Sequence, residues 1–101
     1  MPTEAEEIEA AHGIIKEVFE RFKYIENSLE KIDNNNEYDR RIADEIDTEL
    51  INAGAALRRA GRHISEDSDY LHATKELGKY RSKLFEIRKN NNNHYSTSPK
   101  V

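Results

Sequence analysis

Two stretches pair a carboxylate with a histidine three residues later: Glu9-Ala-Ala-His12 and Asp69-Tyr-Leu-His72. On a helix this spacing puts both side chains on one face, where they could converge on a metal or let a carboxylate orient an imidazole. A third polar group, Arg58, Arg59, Arg62 and His63, closes the stretch Leu50–Ile64, which begins with small residues. Arginine clusters hold phosphates and carboxylates through planar, bidentate forks. If the chain folds back near residues 34–36 and again near residue 65, Glu9, His12, Arg58, Arg59, Arg62, His63, Asp69 and His72 gather at one end. They form the candidate polar interaction cluster.

The carboxylate-x-x-His spacing is similar to that of di-iron helical bundles, which aim two such pairs and two further Glu residues inward. Here the facing stretch supplies arginines in place of those carboxylates, and His12 and His72 fall beside the apolar seam rather than on it. His72-Ala-Thr-Lys75 resembles part of the His-x-x-Lys-Gly motif of histidine phosphotransfer domains. Glu76 stands where that motif has its glycine, and that family's fourth helix is missing. No Ser/His/Asp arrangement, Gly-rich phosphate loop or zinc spacing occurs. The expectation is a protein that is not an enzyme and carries no cofactor or metal.

The elements that must position these residues are helices. Ile8, Ala11, Ile15, Val18, Phe22, Ile25, Leu29 and Ile32 alternate by three and four residues, a coiled-coil-like heptad pattern. Asp33-Asn34-Asn35-Asn36 ends it, because Asn and Asp compete for backbone hydrogen bonds and tolerate turns. The pattern resumes at Ala43, Ile46, Leu50, Ala53, Leu57, Ala60 and Ile64, and again at Tyr70, Ala73, Leu77, Tyr80, Leu84 and Ile87. Helices are therefore expected at about 3–32, 37–63 and 66–89. Asn36 and Asp39 approximate a capping box for the second, and Ser65 or Asp67 caps the third. Whether the second ends at Gly61 or Ile64 is open. Short connections make neighbours antiparallel, so residues 1–90 read as one all-α, up-down-up three-helix bundle. Residues 91–101 read as a disordered Asn/Ser-rich tail.

Composition suits this architecture. In 101 residues, hydrophobic and charged residues each make up 36%, as narrow cores with charged outer faces require. There is no cysteine, hence no disulfide, and no apolar run long enough for a membrane span, so a cytoplasmic location is expected. The net charge of −4 is uneven. Residues 1–33 carry nine acids and four bases, whereas residues 65–101 carry five acids and seven bases.

Ile14, Phe19, Ile51, Leu71 and Phe85 are large apolar residues that lie off the seams. They exceed what one narrow seam needs, so they form the candidate apolar interface. The small run Ala53-Gly54-Ala55-Ala56 is expected to face Ile14, Ile15, Val18 and Phe19 on one side and Thr74 and Gly78 on the other. The resulting expectation is a protein–protein interaction or regulatory protein whose partner is another protein or a second copy. The rival is a nucleic-acid-binding regulator using the basic end of the second helix and the third helix, through Lys75, Lys79, Arg81, Lys83, Arg88 and Lys89.

Overall fold

The three apolar runs become three helices: α1 (Glu4–Asn34), α2 (Arg40–Ile64) and α3 (Ser68–Thr97). The computed structural model describes residues 2–34 and 39–97, with side chains for residues 2–33 and 39–91. Each helix packs against both others in an all-α, up-down-up bundle. The core consists of nineteen buried hydrophobic residues, and all of them are heptad-seam positions. Ile8 and Tyr70, the first members of their seams, are only partly buried. Apart from the phenol of Tyr80, no polar or charged side chain is buried among the described residues, so the core rests on apolar burial and packing.

Local chemistry sets the helix starts. Thr3 and Glu6 form a reciprocal capping box: the Glu6 amide donates to Thr3 Oγ1 (3.2 Å), and the Thr3 amide donates to Glu6 Oε1 (3.4 Å). Asp39 itself caps α2, its carboxylate accepting from the Arg41 amide at 2.9 Å. Asn36, the expected first half of that box, lies outside the described residues. Because α2 begins at Arg40, its first turn holds arginines and no acid. Asp44, Glu45 and Asp47 lie further in, where the helix dipole has faded. Asp67, and not Ser65, caps α3, accepting from the amides of Asp69 (2.9 Å) and Tyr70 (3.2 Å).

The end of α2 is the later of the two left open, and the end of α3 differs from expectation. α2 runs through Gly61 to Ile64. α3 does not stop at Lys89; it continues to Thr97, so residues 91–97 are helical rather than disordered, and residues 98–101 lie outside the described part. The penalty for Asn in a helix is only a few tenths of a kcal/mol per residue, and extending a packed helix needs no new nucleus. The Asn91 side chain also donates to the Ile87 carbonyl at 2.7 Å.

The glycines separate by what surrounds them. A Cβ at Gly61 would lie 2.6 Å from the Tyr70 hydroxyl oxygen and 2.8 and 3.0 Å from two ring carbons. Gly61 is therefore the seat of a half-buried, rigid ring. A Cβ at Gly54 would meet only Arg81 Nη2 at 2.7 Å, with Leu77 in ordinary contact at 3.5 Å. Gly78 does not face the small-residue run; nothing lies within 4 Å of its Cβ direction. We expect Gly61→Ala to lower stability by about 1–3 kcal/mol despite its better helix propensity, because the Tyr70 ring must move. Gly54→Ala should raise stability by up to about 1 kcal/mol, since a flexible guanidinium can yield. Thermal unfolding of the two variants checks this; equal melting temperatures would refute it.

Candidate functional site

The polar residues at the α2–α3 turn end assemble into several separate contacts. His63 Nδ1 lies 3.7 Å from Glu7 Oε2, joining α2 to α1. Arg59, Arg62 and His63 rim a groove of about 260 Å³ with Glu7, and Ala10, Ala11 and Ile14 also line it. His12 Nδ1 lies 4.0 Å from Asp67 Oδ2, so the α3 cap also faces α1. His72 stacks on Phe19, with ring centroids 5.7 Å apart and a 32° tilt. Glu9, Arg58 and Asp69 are exposed and take no part in these contacts. The expected cluster is thus divided, and two acids outside it, Glu7 and Asp67, supply its carboxylate contacts. The fold-back register, which puts residue 63 near residue 7, accounts for Glu7, whereas Asp67 reaches His12 from the cap position of α3.

The five apolar candidates also divide. Ile14 and Phe19 are partly buried and packed on the core. Phe19 touches Phe22 edge-on at 5.9 Å as well as His72. These two are not free surface: helices α2 and α3 cover the positions beside the α1 seam. Ile51, Leu71 and Phe85 do remain exposed, at 57%, 54% and 68%. Tyr24, not anticipated, is 52% exposed beside a groove lined by Asp44, Glu45, Thr48 and Glu49.

Two arginines locate the three exposed residues. Arg81 reaches from α3 to Gly54, and Arg88 reaches from α3 to Asp44 (2.7 Å) and Asp47 (4.0 Å). The α2–α3 groove therefore runs past residues 81 and 88 on one helix and 44, 47 and 54 on the other. Leu71, Gly78 and Phe85 stand three residues before Thr74, Arg81 and Arg88, about 60° round the helix on one rim. Ile51, three residues before Gly54 and seven after Asp44, stands on the other rim. The outer α2–α3 face thus presents three large apolar side chains with an open glycine between two of them.

Among the described residues, Tyr80 is the group whose acidity is clearly displaced. Its ring is buried against Phe22, with centroids 5.2 Å apart. Burial pushes the phenol pKa above its ordinary value, and the neighbouring carboxylates of Glu26 and Glu76 push it further. The arrangement favours the neutral phenol and acts as an α1–α3 strut. No sequence signal beyond its seam position marks it.

No protein-family model, curated protein or solved structure matches the chain. Among the described residues, no three His, Cys, Asp or Glu side chains are grouped to hold a metal, and no helix is long and apolar enough to cross a membrane. The class defined by the three mutually packed helices is an all-α three-helix bundle.

The raised Tyr80 pKa has a pH consequence. Its stabilising effect is fully present below the unfolded phenol's value near 10.0 and is lost as pH rises through the higher folded-state value. Denaturant titrations from pH 8 to 11 should show a shallower alkaline loss of stability for Tyr80→Phe than for the parent. Parallel pH profiles would refute the assignment.

Proposed function

We propose that this chain is a small, non-enzymatic helical interaction protein, regulatory in role, that self-associates through its outer α2–α3 face. One observation carries the reading: Ile51, Leu71 and Phe85 stay more than half exposed on the two rims of one groove, while every other off-seam candidate is packed. Large apolar side chains brought together on one face mark association sites, whereas single scattered ones do not. A protein without cysteine suits a reducing compartment such as the cytoplasm.

The nucleic-acid reading draws less support. Arg88 pairs with Asp44 and Asp47, and Lys83 lies 3.9 Å from Asp33, so part of the basic α3 surface is already neutralised. The groove rimmed by Arg59, Arg62 and His63 likewise includes Glu7.

Sedimentation equilibrium tests the proposal. The parent should gain mass with concentration over the micromolar range. Phe85→Glu should stay monomeric while its unfolding free energy at high dilution changes by no more than about 0.5 kcal/mol, because the side chain is exposed. A parent that stays monomeric up to millimolar concentration would refute self-association.

A further inference from the structure

From the spacing on α3 we infer that the self-associating unit is an antiparallel two-fold dimer in which α3 packs on α3 with the axis at Gly78. The inference rests on the self-association proposed above and specifies its geometry. Leu71 and Phe85 lie seven residues to either side of Gly78, about 10.5 Å each way along the helix. A two-fold axis through Gly78 maps residue 71 onto 85, 74 onto 82, and 78 onto itself. Leu71 then packs on the partner subunit's Phe85, and the reverse contact forms at the other end. Thr74 meets Ser82, two small polar side chains, and the two glycines face each other at the axis. The pattern of large, small and large is its own complement, as an isologous interface requires.

Gly78 supplies a second, independent observation. A glycine in an exposed helix interior costs about 1 kcal/mol against alanine, and the fold offers no reason for it here. No atom lies within 4 Å of its Cβ direction, in contrast with Gly61, which seats Tyr70. A close approach from outside the chain gives that reason. Gly13 is equally open, but its neighbours seven residues away are Glu6 and Glu20, so no apolar pair flanks it.

The charges permit the pairing. The axis would bring Lys75 opposite Arg81, but Arg81 is drawn aside over Gly54 on α2. The Arg88 guanidinium, near the outer end of the contact, is held by Asp44 and Asp47. Ile51, on the far rim, flanks the contact and extends its apolar area across the groove. A single helix pair with these flanks is a small contact, so a reversible dimer is expected.

Because the chain lacks cysteine, single introduced cysteines report the geometry directly. Under mild oxidation, Gly78→Cys should form a disulfide-linked dimer. Leu71→Cys and Phe85→Cys chains should each stay unlinked alone but form the mixed disulfide when combined. Gly78→Glu should keep its helical circular dichroism and weaken association by at least about tenfold, through bulk and like charge at the axis. Leu71→Cys or Phe85→Cys linking to itself would show a parallel arrangement and overturn the inference. Association that persists with no cross-link at any of the three positions would also overturn it, while leaving the proposed self-association standing. A parent chain that never associates would remove both.

Discussion

The register of α1 against α2 is the constraint on which the rest depends. Seven buried hydrophobic residues on each helix, Ala11 to Ile32 and Ala43 to Ile64, interlock along the bundle. Because Tyr80 brings the core's one phenol and no charged residue is buried among the described residues, this apolar fit decides which residues stand opposite each other. His63 meets Glu7 and Arg21 meets Glu49 as consequences of that fit. α3 then closes the third side, with Tyr70 seated on Gly61 and Tyr80 against Phe22.

Electrostatics decorates this frame. Every ion pair described is at least partly exposed, so each is worth little in stability. Their distribution still differs along the molecule. At the α2–α3 turn the contacts involve His12 and His63, whereas further along they use Arg21, Lys83 and Arg88. The arginines of α3 also have a structural consequence. By crossing to α2, Arg81 and Arg88 shield the groove and leave Leu71, Gly78, Phe85 and Ile51 as its exposed rims.

Helix number, direction and core membership were legible because a heptad fixes angular position, and angular position decides burial when helices pack lengthwise. Fold-back from the two turns also located Gly54 near Leu77 correctly. The polar cluster was legible only as a region. Carboxylate-x-x-His spacing is a property of one helix, but Glu7 and Asp67 reach histidines on other helices. The end of α3 was not legible, because the helix penalty of Asn is small once a buried turn precedes it, and α3 runs on to Thr97.

The sequence by itself determined three amphipathic helices, their order, and the residues that fill the core. It also determined Asp67 as one of two possible caps and listed five apolar residues left over from the seams. Only the tertiary structure decided which of those five stay exposed. Ile14 and Phe19 are covered because α2 and α3 lie against that side of α1, whereas Ile51, Leu71 and Phe85 point out of the α2–α3 groove. Coverage depends on where a neighbouring helix sits, and no single helix's periodicity contains that position.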